Sequence, residues 1–189
     1  MKIAVITPTV SDREALLEEC KASVRRQETS LPFEHFVEDD VSRTGCGLTR
    51  NRIVASLDPS FGWLAFLDDD DLMMPCHLQV LASESDEADI LYSDVETSGW
   101  EKTWTTGPFD VSRLYVRNYI PVTVLMRRSV FERARGFSKV FAEDWDLWKR
   151  CAVMGARFKY VPQLTWIYRR APGQTSMLET GRISFEGTE

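Results

Sequence analysis

Four consecutive carboxylates, Asp68 to Asp71, stand where an apolar run ends, in the stretch WLAFLDDDDLMMP. Two like charges about 4 Å apart repel by roughly 1 kcal/mol in water and by about 4 kcal/mol at an effective dielectric of 20. Several such pairs weigh heavily on a domain whose whole stability is about 5–15 kcal/mol. Two arrangements would relieve the load. The acids can cap a following helix and face solvent, where the macrodipole favours them, which accounts for one or two of the four. Alternatively a divalent cation sits among them, because hard cations take carboxylate oxygens.

Other residues could join that chemistry. Asp144, in FAEDWDLWKR, falls at or near a helix start. It is either a simple cap or a general base facing the acids across a cleft, with burial beside Trp145 raising its pKa toward a useful value. Gly45-Cys46-Gly47-Leu48-Thr49-Arg50-Asn51 offers backbone freedom before another helix start, where free N–H groups can meet phosphate and Arg50 can add a bidentate contact. This is not GxGxxG, since Arg50 holds the third glycine's place, and no GxxxxGK occurs, which argues against classical dinucleotide and P-loop sites. Leu72 stands where a DxDxT phosphatase needs a hydroxyl, and an EF-hand lacks its glycine and its spaced ligands. His35 reads as packed or surface-facing in a strand, and His77 as a helix surface residue. Trp100 and Trp104, in a loop-like stretch, are core by default, with sugar or base stacking as the sharper reading.

The elements that must position these groups alternate. Lys2–Thr7 reads as a buried strand. Ser11 to about Gln27 reads as a helix with Ala15, Leu16, Cys20, Ser23 and Val24 on one face and Ser11 or Asp12 as N-cap. Glu34–Glu38 is a second strand, Thr49–Leu57 a short helix, Trp63–Leu67 a third strand, 75–84 a helix and Asp89–Val95 a fourth strand. Such alternation predicts a parallel sheet with helices packed on it. Ligands then bind at the carboxyl ends of the strands. Pro8-Thr9, Asp39-Asp40 and Asp68–Asp71 all lie at predicted carboxyl ends, and that coincidence of position favours the metal. Further on, Gly99–Asp110 is a loop or short edge strands, Val122–Arg127 a strand, and Ser129–Ala134 a short helix ended by Gly136. Glu143–Met154 is a helix and Tyr160–Arg169 an extended segment whose start Pro162 demotes to an edge.

At 189 residues the chain is expected to form one domain with a sizeable core. Its hydrophobic content of 43% and charged content of 28% are ordinary for a soluble globular protein. No apolar run approaches the roughly 20 residues of a membrane span, and MKIAVITP lacks a signal-peptide plan. Four widely spaced cysteines without a CxxC pair argue against zinc and make a reduced, cytoplasmic setting the expectation. The net charge of −6 is segregated: residues 1–100 carry 8 basic and 20 acidic side chains, residues 101–189 carry 15 and 9. That pattern fits an acidic metal site beside a basic wall, and equally fits ordinary surface variation.

Taken together and in order, the motifs resemble those of the family 2 glycosyltransferases of GT-A fold, from about residue 2 to residue 176. VITPTVSDREALLEECKASVRRQ resembles the family's opening strand and helix, VEDDVS its VDDGS element with Val41 in place of glycine, and TRNR its A-R-N segment. FLDDDDLMMP resembles the L-D-x-D-D signature, IPVTVLMRRSVFERARGFSK the acceptor-side strand and R-x-G-F turn, and AEDWDLWKRCAVMG the E-D motif. The resemblance implies an α/β GT-A fold, a mixed, mainly parallel sheet flanked by helices, forming a single domain over 1–176 with a C-terminal tail over 177–189. It implies an inverting transfer of sugar from a nucleoside-diphosphate sugar, a UDP-sugar foremost, to an acceptor hydroxyl. Asp70 and Asp68 would hold Mn²⁺ or Mg²⁺, and Asp144 would be the base. Asp40 would meet the nucleotide base, with Pro8, Thr9, Arg50, Asp68, Asp69, Arg169 and Arg170 around the donor. The acceptor stays open among a saccharide, a lipid-linked glycan, a protein and a modified nucleic acid, as does the oligomeric state. One departure matters: YRRAPGQTS resembles Y-R-x-H-P-G-x-x-S, but Ala171 holds the histidine position. The alternative reading is therefore a nucleotide-sugar-binding domain with impaired catalysis.

Overall fold

A computed structural model describes residues 1–98 and 106–169. Seven strands form one sheet: β1 (Ile3–Thr9), β2 (Phe33–Asp39), β3 (Trp63–Phe66), β4 (Leu72–Met73), β5 (Ile90–Ser98), β6 (Leu125–Arg127) and β7 (Phe158–Arg169), in the order β2-β1-β3-β6-β5-β7-β4. The helices are α1 (Glu14–Arg25), α2 (Cys46–Ser56), α3 (His77–Ser83), α4 (Val111–Val116), α5 (Arg128–Arg133) and α6 (Glu143–Val153). The long ladders, β1 with β2, β1 with β3 and β5 with β7, are parallel. The antiparallel pairs, β3 with β6, β5 with β6 and β4 with β7, are short.

Every residue of β1 is buried, as expected of a central strand covered on both faces. Ala4, Ile6, Leu64 and Phe66 pack on one side with Leu147 and Trp148 of α6. Ile3, Val5, Ala65 and Leu67 pack on the other with Cys20 and Val24 of α1 and Leu78 and Leu81 of α3. The period of two along β1 and β3 thus divides one sheet into two cores.

Several expectations shift. Helix α1 starts at Glu14 behind Arg13, which makes no side-chain cap, so neither Ser11 nor Asp12 caps it, and Ala15 is exposed. The aspartates do not cap α3 either, because β4 intervenes and Cys76 precedes that helix. Only Leu125–Arg127 of the expected 122–127 strand pairs. Helix α4 was legible in principle: Asp110 accepts from the Ser112 and Arg113 amides at 2.8 and 3.2 Å. At the end of α5 the left-handed residues are both Arg135 and Gly136, with φ 63° each. Strand β7 lies between β5 and β4 rather than at an edge. Pro162 is accommodated where the β5 ladder slips from Ser93↔Val161 to Asp94↔Leu164, a bulge that needs no N–H from proline.

His77 is fully buried rather than on a helix surface. Its Nδ1 lies 2.7 Å from Thr165 Oγ1, which in turn lies 2.6 Å from Ser93 Oγ, stitching α3 to β7 and β5. Burial pushes its pKa down to about 3. Unfolded chains therefore bind a proton that the native chain refuses, and stability is complete above about pH 6.5 and lost as pH falls toward 3. Between pH 7 and pH 5 this one group should cost on the order of 2 kcal/mol. Urea unfolding at the two pH values checks it: His77→Asn should shrink the difference, and an undiminished difference would contradict the assignment.

Candidate active site

The register of the parallel ladders gathers three loops. Thr9 pairs with Asp39 and the Asp40 amide donates to the Thr9 carbonyl at 2.9 Å, so the ends of β1 and β2 meet. Ile6 pairs with Phe66, and the Leu67 amide donates to the Ile6 carbonyl at 3.1 Å, which delivers Asp68–Asp71 beside them. The cleft thus opens at the carboxyl ends of β1, β2 and β3, where open α/β sheets bind ligands. A cavity of about 170 Å³ lies there, lined by Pro8, Thr9, Arg13, Asp40, Gly45 and Asp69 among others.

Each aspartate of the run has a different surrounding. One carboxylate oxygen each of Asp68, Asp70 and Asp71 lies within 4.8 Å of the others. Asp69 points elsewhere, accepting from Thr9 Oγ1 at 2.7 Å and from Arg13 Nη1 at 2.7 Å. Asp68 is held by Arg50 Nη2, Asp70 by Arg13 Nη2, and Asp71 by the Arg169 amide at 3.0 Å. Removal from water pushes the Asp68 and Asp71 carboxyls up, and repulsion from Asp70 pushes them further. An all-oxygen donor set of three carboxylates fits Mn²⁺ or Mg²⁺. Asp71 was not expected among these residues; only the turn after Asp68, closed by the Asp71 amide on the Asp68 carbonyl at 3.1 Å, brings it in.

Asp40 is buried and pinned. Its carboxylate accepts from the Gly45 amide at 2.7 Å and Thr44 Oγ1 at 2.8 Å. Burial alone would raise its pKa, but the Thr44 and Gly45 amides and the Thr44 hydroxyl prevail and hold it at about 2. Asp40 is therefore always an acceptor.

Arg50, expected near phosphate, is buried on α2 and joins Asp68 to Glu143, the latter at 3.3 Å. Arg169 is likewise engaged: its Nε reaches the Asp70 carbonyl and its Nη1 the Glu19 carboxylate. Arg170, Ala171, Trp100, Trp104 and the tail over 177–189 lie outside the described residues. A cation that faces Asp69 and Asp70 is Arg13, whose place just before α1 carries no local sign of that contact.

Glu143 begins α6, and Asp144 follows it as the second helical residue rather than the cap. Two tryptophans orient that helix: Trp145 Nε1 donates to the Leu114 carbonyl at 2.6 Å and Trp148 Nε1 to the Ile120 carbonyl at 3.1 Å. They bring in the segment carrying Asn118, whose Nδ2 donates to Asp144 Oδ2 at 3.0 Å. No sequence signal marked Asn118. Removal from water dominates at Asp144 and, with Glu143 beside it, outweighs the Asn118 bond, raising its pKa to about 6. The close approach of α2 to α6 requires Gly47, where a Cβ would meet Glu143 Cγ at 2.8 Å and Phe137 Cβ at 2.9 Å. Asn51 completes the frame, exchanging hydrogen bonds of 2.8 and 2.9 Å with the Phe137 carbonyl and amide. Glu143, the sequence neighbour of Asp144, pairs with Arg50, and Arg50 with Asp68, so one buried arginine stands between the two acidic centres.

Architecture and cleft define the class: this is the α/β fold of the GT-A glycosyltransferases. No family model matches the sequence. The chain is 25% identical, over 202 residues covering 89% of it and 74% of the other, to the uncharacterized glycosyltransferase YwdF of Bacillus subtilis (strain 168). It superposes on S. aureus TarS residues 1–349 in complex with UDP-GlcNAc with a TM-score of 0.76 at 19% identity, over 92% of this chain and 60% of that one. With the mannosyltransferase PcManGT of Pyrobaculum calidifontis, in complex with GDP-Man and Mn²⁺, the TM-score is 0.62 at 16% identity, over 88% and 56%. The chain therefore spans less than two thirds of either solved relative. Among the described residues, no helix is long and apolar enough to cross a membrane.

Proposed function

We propose that this protein is a metal-dependent, inverting glycosyltransferase that moves a sugar from a nucleoside-diphosphate sugar, a UDP-sugar foremost, to an acceptor hydroxyl. The observation that carries this is Asp144: a carboxylate with a pKa near 6, oriented by Asn118 and tied through Glu143 and Arg50 to the acids at the end of β3. Asp70, Asp68 and Asp71 would hold Mn²⁺ or Mg²⁺, which when bound supplies Lewis-acid neutralisation of the diphosphate. Asp144 takes the proton of the acceptor hydroxyl. The new bond forms between that oxygen and the anomeric carbon. The bond to the diphosphate oxygen breaks on the opposite face and its electron pair leaves with the diphosphate. One displacement inverts the anomeric configuration, and no covalent enzyme intermediate is needed. Incubation with Mn²⁺ and a panel of nucleotide sugars and acceptors tests the reading; nucleotide binding without any donor turnover across the panel would refute it.

The pinned Asp40 carboxylate is what favours UDP in this reading. It accepts hydrogen bonds and cannot donate them, so it suits the N3–H of uracil or thymine. A base that presents an acceptor there instead forfeits that hydrogen bond, a penalty of roughly 1–3 kcal/mol. UDP and dTDP should therefore bind about tenfold or more tightly than ADP and CDP. Thermal-shift titrations with the four nucleotides measure this, and a flat response would exclude Asp40 as the base reader.

A further inference from the structure

The cavity at the end of β1 has a positive wall. Arg13 stands immediately before α1 with φ −122° and ψ 25°, outside the helix, and follows the exposed Ser11 and Asp12. Its guanidinium bridges two acids, Nη1 to Asp69 and Nη2 to Asp70. Its side chain is 25% exposed and Asp70's only 6%, so Arg13 lies over Asp70. Asp70 is also one of the three carboxylates grouped closely enough to share an ion. A divalent cation and Arg13 thus draw on the same carboxylate. Arg50, which pairs with Asp68 on the same cluster, is 2% exposed and clamped between Asp68 and Glu143, so it is not free to yield, and the Arg169 guanidinium meets Asp70 at its main-chain carbonyl. Arg13 has a long stem, partial exposure and a second anchor in Asp69.

We infer that Arg13 covers Asp70 in the metal-free protein, yields it when a divalent ion binds, and, still held by Asp69, turns its freed edge to the donor's diphosphate. This rests on the divalent-ion reading proposed above. The planar fork suits the exchange: one edge stays on a carboxylate while the other meets phosphate oxygens bidentately. Arg13 is thereby a donor-binding residue whose contact with the diphosphate depends on ion binding.

Calorimetry on the full chain separates the contributions, first with Mn²⁺ alone and then with UDP at saturating Mn²⁺. Arg13→Gln should bind Mn²⁺ about tenfold more tightly than wild type and UDP about tenfold more weakly, each the equivalent of one charge-assisted contact. Arg13→Lys keeps the charge but cannot bridge both acids, so its Mn²⁺ affinity should also rise; it carries the test if Arg13→Gln proves unfolded by its melting curve. Arg43→Gln removes an equal charge from a 65%-exposed arginine at the same cavity that touches none of the four acids, and its Mn²⁺ affinity should match wild type. Equal Mn²⁺ affinity in wild type, Arg13→Gln and Arg13→Lys would overturn the inference alone. Arg43→Gln matching Arg13→Gln would overturn it too, by reducing the effect to overall charge. Failure of wild type and all variants to bind Mn²⁺ would remove the ion reading as well.

Discussion

Asp144→Asn lowers sugar transfer by about 10²–10⁴-fold, the usual worth of a positioned general base, and leaves nucleotide-sugar affinity and melting temperature close to wild type. The amide keeps the shape and loses the proton acceptor. Donor binding is spared because the nucleotide-side contacts are assigned to the ends of β1, β2 and β3, whereas Asp144 belongs to α6. Stability is spared because the asparagine Oδ1 can keep the bond that Asp144 Oδ1 accepts from the Trp145 amide at 2.7 Å. The wild-type rate should rise with pH through about 6, where burial leaves the Asp144 carboxyl half ionised, and flatten above it. Transfer rates against pH for both proteins decide the matter: a well-folded Asp144→Asn variant with ordinary turnover would leave Asp144 a structural residue.

Asp70→Ala removes most metal-dependent nucleotide binding. In wild type, UDP should bind at least about tenfold more tightly with Mn²⁺ than with EDTA, because Asp68, Asp70 and Asp71 otherwise repel a diphosphate. The variant should lose the difference between the two conditions. The fold should survive, since Asp70 contributes to the repulsion that raises the Asp68 and Asp71 carboxyls, and Arg13 keeps its partner in Asp69. Calorimetry with and without EDTA provides the comparison. Wild-type UDP affinity indifferent to EDTA would end the case for an ion on these acids.

Local patterns carried the fold a long way. Strands β1, β3 and β5 and helices α1 and α6 are legible because their apolar residues follow the pattern of the element that forms. The placement of ligand groups at strand ends followed from the same alternation. Where the structure departs from the local pattern, the cause is tertiary. Strand β4 is two residues long and exists only because Leu72 and Met73 pair with Ile167 and Trp166. His77 has the polarity of a surface residue, and its burial depends on finding Thr165 on a strand 88 residues later. Pro162 reads as an edge marker until the β5 ladder slips past it.

The amino-acid sequence alone determines that the acids stand at a strand end, that Asp40 follows a second strand, and that Asp144 opens a helix, because each depends on residues within one turn or one strand. Which charge meets which was decided only by the chain's path in three dimensions. Arg50 faces Asp68 rather than open solvent because Gly47 lets α2 close on α6. Arg13 reaches Asp69 and Asp70 because the β1–β3 register sets their loops side by side. Asn118 finds Asp144 because the indoles of Trp145 and Trp148 hold its segment against α6. Contacts between residues tens of positions apart leave no local pattern, since the partners share a location and not a period.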